Sequence, residues 1–182
     1  DQLAKLMLAQ NTPEFPDVLL ETLKCIVPFD HSTIFVYHGQ ERPICLFDTF
    51  PPHKRIVMVS DYQEDPFLLD PFYIACLERA KPGLYRLRDI APDRFYHSEY
   101  YRSYYRRTDL SEEISFIIAL PGNVGLSISL MRAVTSPIFS ERDINKLRRI
   151  ESVIQATASR YWHALGEPEI PIDVSTPSQP VM

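Results

Sequence analysis

The side chains able to do chemistry are few and scattered. The five histidines, His31, His38, His53, His97 and His163, show no HxxH or HExxH spacing that would aim two rings at one metal. His53 follows two prolines and reads as a surface residue. No metal and no cofactor is implied. The three cysteines, Cys25, Cys45 and Cys76, form no CxxC pair and cannot all pair with one another. They read as reduced thiols of a cytoplasmic protein. A cysteine nucleophile needs a lowered pKa and a base nearby. Cys25 lies in an apolar helical pattern, Cys45 in an apolar strand pattern and Cys76 within IACLERA, so all three read as core residues. Glu112-Glu113 and Glu64-Asp65 are neighbours that point apart on an extended chain. They make poor acid–base pairs, and a solvated face is the better reading. The five glycines are isolated and build no phosphate loop. A non-enzymatic protein is the expectation.

One carboxylate differs from the rest. Asp70 sits between Leu68-Leu69 and Pro71-Phe72-Tyr73. An aspartate before a proline in the first turn caps a helix. A carboxylate has acceptors to spare, so the same Asp70 can also take a ligand's hydrogen bond from an apolar wall. Tyr62 supplies a ring with a hydroxyl at its tip. The run YYRSYYRRT, 100–108, interleaves bases and rings as an RNA-binding strip would, but Glu99 and Asp109 flank it at helical spacing. It reads as a packing or lid helix in which Tyr101, Tyr104 and Tyr105 bury ring faces while Arg102, Arg106 and Arg107 stay wet.

These residues need a scaffold. A chain of 182 residues suits one domain with room for a cavity. The net charge of −5 argues against direct contact with a nucleic-acid backbone. No apolar run is long enough for a membrane-spanning helix, and no signal peptide is visible. Because the chain starts at Asp1, it reads as a fragment.

The elements follow from periodicity and punctuation. Residues 1–10 suit a short helix or a partner-facing arm. A helix is expected over 16–27, with Phe15, Val18, Leu19, Leu23, Ile26 and Val27 as its stripe. Strands are expected over 31–38 and 43–50, with Ile34 and Val36 on one face and Phe35 and Tyr37 divided between the two. Helices are expected over 52–62 and 71–80, a short strand over 84–87, and a tyrosine-rich helix over 92–107. The clearest hairpin is 113–120 and 124–131, turning at Pro121-Gly122-Asn123. Setting Leu120 against Val124 pairs Ile118 with Leu126, Phe116 with Ile128 and Ile114 with Leu130, an apolar face. The opposite face pairs Ala119 with Gly125, Ile117 with Ser127 and Ser115 with Ser129. That small, polar face leaves space for a ligand. Ser140, with Asp143 three residues on, caps a helix running to about Trp162 on a stripe of Leu147, Ile150, Ile154, Thr157 and Tyr161, widened by Val153 and Ala156. The expected architecture is α/β (α+β): a central antiparallel sheet of about five strands flanked by helices, a GAF/PAS-like sensor fold. Residues 1–165 form the domain, and 166–182, with four prolines, form a linker or tail.

The strings LLDPFY, PGLYRL, APDRFYHSEYYRSYYRRTDLSEE and PIFSERD resemble the amino-terminal halves of LuxR-type regulators over about residues 28–162. The resemblance implies a ligand-sensing domain, a homodimer, and contact with DNA only through a helix-turn-helix absent from this chain. More distantly, Tyr62 and Asp70-Pro71 resemble the cavity motif of acyl-homoserine-lactone-binding domains, and Ser129 matches their later-strand Ser/Thr. The cavity tryptophan of that family has no counterpart over Val57 to Asp61. An acyl lactone is therefore not carried over. The expected partner is a small organic ligand, in a cavity lined by Tyr62, Asp70, Tyr37, Phe47, Tyr73, Tyr85, Ser115, Ser127 and Ser129. The alternatives are a dimerisation scaffold with a self-filled cavity and a cysteine-dependent GAF-type reductase.

Overall fold

A computed structural model describes residues 2–167. Most of the tail expected over 166–182 lies outside the described residues. Five antiparallel strands form the centre: β1 (His31–His38), β2 (Ile44–Asp48), β3 (Gly83–Arg86), β4 (Leu110–Leu120) and β5 (Val124–Ala133). Their order is β2-β1-β5-β4-β3. The expected hairpin register holds at each pair from Ile114↔Leu130 to Leu120↔Val124. Gly122 and Asn123 close the turn with φ of 66° and 64°, a left-handed conformation that these two residue types tolerate best.

The two faces of the sheet hold two separate cores. On one face Ile34, Val36, Ile114, Phe116, Ile118, Leu126, Ile128 and Leu130 are buried beneath α1 (Gln2–Leu8), α2 (Phe15–Ile26) and α7 (Glu141–Tyr161). Burying each such side chain is worth roughly 1.5–3 kcal/mol. Leu6 fastens α1 to this core, while Met7 and Leu8 stay exposed. In α7 the capping box forms: the Ser140 hydroxyl accepts from the Asp143 amide at 3.2 Å, and the Ser140 amide donates to Asp143 at 3.0 Å. The buried stripe of α7 is Ile144, Leu147, Ile154, Thr157 and Ala158, whereas Ala156 is exposed.

The other face is covered by the chain between β2 and β4. It contains α3 (Pro52–Arg55), α4 (Pro71–Leu77), α5 (Leu87–Ile90) and α6 (Glu99–Ser103). Phe35 and Tyr37 both point to this face rather than dividing, because residues two apart on a strand share a side. Gly125 lets α4 approach closely: a Cβ there would stand 2.6 Å from the Cys76 Cβ.

Two further expectations are corrected. The tyrosine-rich segment is not one helix over 92–107. It breaks into a turn at Phe95–His97, then α6, then a turn at Tyr105–Thr108. Arg94 is left-handed, and Ser98 is extended and starts α6 afresh by accepting from the Tyr101 amide at 3.1 Å. A serine that can cap competes with helix continuation. The cysteines are not all core residues: Cys25 is exposed, and Cys45 and Cys76 are half-buried.

Candidate ligand-binding site

The site is assembled from three pieces of chain against the serine face of β5. After α3 the helix widens to the looser π turn over Ile56–Asp61, a distortion common at functional sites. It delivers Met58, Val59 and Tyr62 to the interior. Asp70 then ends a turn at Pro66–Leu69 and caps α4, its Oδ1 accepting from the Phe72 amide at 2.9 Å. Its Oδ2 accepts from the Tyr62 hydroxyl at 2.6 Å. Since Tyr62 donates its proton to Asp70, the Tyr37 hydroxyl at 2.9 Å donates to Tyr62. Ser127 in turn donates to Tyr37 at 3.4 Å. A buried relay therefore runs Ser127 to Tyr37 to Tyr62 to Asp70, from the middle of the sheet to the start of α4. Each donor polarises the next in such a chain.

Beside the relay lies a cavity of about 20 Å³, lined by Asp70, Tyr37, Tyr62, Ser127, Ser129 and Glu113, together with Thr33, Phe35 and the rings of Tyr100, Tyr104 and Tyr105. That is room for on the order of one or two water molecules. The rings close it: Tyr62 and Tyr104 have centroids 5.8 Å apart, Phe35 and Tyr62 4.9 Å, and Tyr100 and Tyr104 5.4 Å. The Tyr105 hydroxyl is buried and makes no hydrogen bond among the described residues. Beyond Tyr105, Leu110 and Glu113, which line both spaces, a second pocket of about 530 Å³ opens toward Phe95, Tyr96 and Ile138. That volume falls within the roughly 300–1,000 Å³ of small-molecule sites.

Burial dominates the electrostatics. It pushes the Asp70 carboxyl up to about 6, against the hydrogen bonds from Tyr62 and Phe72. It pushes Glu113 up to about 8, helped by the nearby Asp70 and opposed by a hydrogen bond from Ser129. The two carboxyls titrate as a pair, and at neutral pH the shared charge rests mainly on Asp70. Burial also raises Tyr37, Tyr62, Tyr100, Tyr104 and Tyr105 well above the ordinary phenol range, so all remain neutral donors. The Cys45 and Cys76 thiols are pushed up to about 11 and about 12, again by burial, which keeps them protonated.

The structure thus gathers Tyr37, Tyr62, Asp70, Ser127 and Ser129 around one cavity. Phe47 lies elsewhere. It pairs with Ile34, whose side chain faces α2 and α7, and it packs into that opposite core. Tyr73 stands behind Tyr37, 5.4 Å between ring centroids, with its hydroxyl donating to the Gly39 carbonyl. Tyr85 turns its hydroxyl out to the Lys81 carbonyl. Ser115 faces Ser129 across the hairpin, but its hydroxyl donates weakly to the Phe116 carbonyl at 3.5 Å and does not reach the cavity. The reading of Glu112-Glu113 as a solvated face is corrected on both counts. Glu112 is buried against Arg86 at 2.8 Å, and Glu113 lines the cavity. Glu113 shares strand parity with Ser115, so alternation along β4 already pointed it to the serine face.

Among the described residues no cluster of three or more His, Cys, Asp or Glu is placed to hold a metal ion, and no helix is long and apolar enough to cross a membrane. No family model matches the sequence, and no curated protein matches it. Solved structures do. The chain is similar to the VqsR LBD from Pseudomonas aeruginosa, with 24% identity over 92% of this chain and 96% of that one, at a TM-score of 0.76. It is also similar to CepR2, an N-acylhomoserine lactone dependent LuxR family factor from Burkholderia cenocepacia, with 14% identity over 91% and 97% at 0.58. The fold is that of a LuxR-type sensing domain. Within that fold, Escherichia coli SdiA is similar at 16% identity over 91% of this chain and 68% of that one, with a TM-score of 0.59. The chain is similar as well to the GAF domain from a phosphoenolpyruvate-protein phosphotransferase of Coxiella burnetii, with 14% identity over 91% of this chain and 94% of that one at a TM-score of 0.55.

Proposed function

We propose that this chain is the small-molecule-sensing domain of a cytoplasmic LuxR-type transcription regulator, a non-catalytic homodimer that reaches DNA through a helix-turn-helix outside it. One observation carries the reading. A buried hydroxyl relay ends on the Asp70 carboxylate beside an internal cavity, next to a tyrosine whose hydroxyl has no hydrogen-bond partner among the described residues. Buried polar groups are ordinarily satisfied, and a convergent set of them in an apolar wall is how a ligand's polar end is read. The likeness to regulator domains supports the same reading.

The segment from Arg94 to Thr108 enters at the left-handed Arg94 and runs as three short helical turns broken at the extended Ser98 and the irregular Tyr104. A ligand that favours a state in which this segment stands back from the sheet shifts the population toward that state by its differential affinity. Such a shift becomes regulation when it reaches a second site. Arg86 offers the route, since its guanidinium holds Glu112 beside the outer pocket and Glu141 at the start of α7. Native mass spectrometry of the purified protein tests the proposal. A retained small molecule, lost on denaturation, is expected. A bare polypeptide mass, with no thermal shift from any small-molecule fraction of a bacterial extract, would refute it.

A second reading is favoured by the cavity's small size. If the tyrosines fill it permanently, the fold is a dimerisation scaffold, and amide exchange over 94–108 would then be as slow as in β4 and β5. The reductase alternative has less support. Cys25, the exposed thiol, lies on α2 across the sheet from the cavity, and burial keeps the other two protonated.

A further inference from the structure

We infer that the inner cavity and the pocket beyond Tyr105 form one site for an organic amine, its ammonium head held by Glu113 and Asp70 and its apolar body outside. This rests on the ligand-sensing reading and names the ligand's chemistry.

The lining decides the charge. Among the described residues, two carboxyl side chains line the inner cavity, and no lysine, arginine or histidine does. A ligand carboxylate or phosphate would meet the charge on Asp70 and, among the described residues, no counter-ion. An ammonium group donates three hydrogen bonds and needs acceptors. It finds Glu113, Asp70, the Ser129 hydroxyl and the Tyr105 hydroxyl, which has no partner among the described residues. Phe35, Tyr62, Tyr100 and Tyr104 surround the same space, and ring faces attract cations.

The sizes decide the arrangement. The inner cavity, about 20 Å³, takes a water-sized group, which an ammonium head is. The body needs the outer pocket of about 530 Å³, whose wall includes Phe95, Tyr96 and Ile138. Tyr105, Leu110 and Glu113 border both spaces, so the proposal places the junction of head and body at these three side chains. On the outer side Arg88 is committed to Glu112 at 3.4 Å, and Asp93, Arg94 and Glu112 complete the charged rim.

Glu113 also makes the binding visible. The groups near it are Asp70, Ser129, Tyr100, Tyr104 and Tyr105 within, while Arg88, Asp93, Arg94 and Glu112 line the outer pocket that it also borders. Held near 8 by burial and by Asp70, it carries a proton at neutral pH, and an arriving cation drives that proton off.

The test uses matched probes: phenethylamine against 2-phenylethanol, octylamine against 1-octanol, and octanoyl-glycerol as a neutral lipid. Calorimetry on the full chain, in buffers of different ionisation enthalpy, reads affinity and protons released. Amines are expected to bind at least about tenfold more tightly than their alcohols, with net proton release near pH 7. Glu113→Gln should shrink the ratio of amine to alcohol affinity and abolish the net proton release, and an unchanged ratio would overturn the amine assignment. Should that variant fail to fold, amide and tyrosine resonances of the wild-type protein report the same site. Alcohols or octanoyl-glycerol binding as tightly as the amines would overturn the amine assignment and leave ligand sensing standing. Cavity resonances unmoved by every probe, cationic or neutral, together with no retained small molecule in the native mass, would overturn both.

Discussion

Replacing Glu113 by glutamine should remove most of the protein's loss of stability between about pH 6.5 and about 8.5. The folded protein holds Glu113 near 8, against an ordinary 4.5 in the unfolded chain. Over the interval between those values the folded state keeps a proton that the unfolded state has released. Stability therefore falls as pH rises through it and levels off above the folded value. At about 1.36 kcal/mol per unit, the part of the interval above pH 6.5 corresponds to about 2 kcal/mol. Glu113 is partly exposed and shares its titration with Asp70, which brings the expectation to about 1–2 kcal/mol. The window is chosen for separation. Asp70, raised from 3.8 to about 6, acts mostly below it. His31, lowered from 6.5 by burial, contributes the opposite slope, which fades above about pH 6.5. The thiols of the unfolded chain, half ionised at about pH 8.5, add a smaller loss at the top of the window. Urea melts followed by Trp162 fluorescence at three pH values in this range supply the measurement. Parallel wild-type and Glu113→Gln curves would refute the argument that a protonated, half-buried carboxyl lies here.

Four other outcomes are expected. Tyr62→Phe leaves Asp70 Oδ2 without its donor at 2.6 Å and should cost about 1–3 kcal/mol in urea melts, with a further rise in the Asp70 pKa followed by carboxyl NMR shifts. Gly125→Ala sets a methyl 2.6 Å from the Cys76 Cβ and should cost about 1–3 kcal/mol, most of it recovered on adding Cys76→Gly. A thiol reagent at neutral pH should modify the exposed Cys25 quickly and Cys45 and Cys76 only on unfolding, which mass spectrometry of labelled peptides would show. Sedimentation at tens of micromolar should find a dimer, and substituting the exposed Met7 and Leu8 with charged residues should weaken it; a monomer at that concentration would count against the homodimer.

Much of the scaffold could be read from the residues, because its logic is one-dimensional. The β4–β5 hairpin is fixed by one turn and strict alternation, so a single pairing sets every other. Asp70 was recognisable because a cap, a proline and flanking apolar residues coincide within five positions. The tyrosine-rich segment was not legible in this way. Helical spacing over 92–107 is real, but Ser98 offers the backbone a second start, and packing of the Tyr104 ring against Tyr62 favours the broken form. Glu113 was passed over because its neighbour Glu112 made the pair look like an exposed acidic patch. On a strand buried on both sides, adjacent residues serve different cores.

Arg86 gives α7 mechanical gearing. Its guanidinium is almost wholly buried and bonds the Glu112 carboxylate, the Phe139 carbonyl and Glu141 together, while Glu112 also takes the Phe139 amide at 2.6 Å. A buried cation cannot release Glu112 or the Phe139 carbonyl cheaply, so the end of β3, the start of β4 and the chain leading into α7 are tied together, with the largely exposed Glu141 as a weaker link. α7 has 21 residues and is therefore roughly 30 Å long. On the proposed sensing mechanism, a tilt of roughly 5° at its first turn would swing the far end by roughly 3 Å, and the pocket wall and the helix would serve as the short and long arms of one lever.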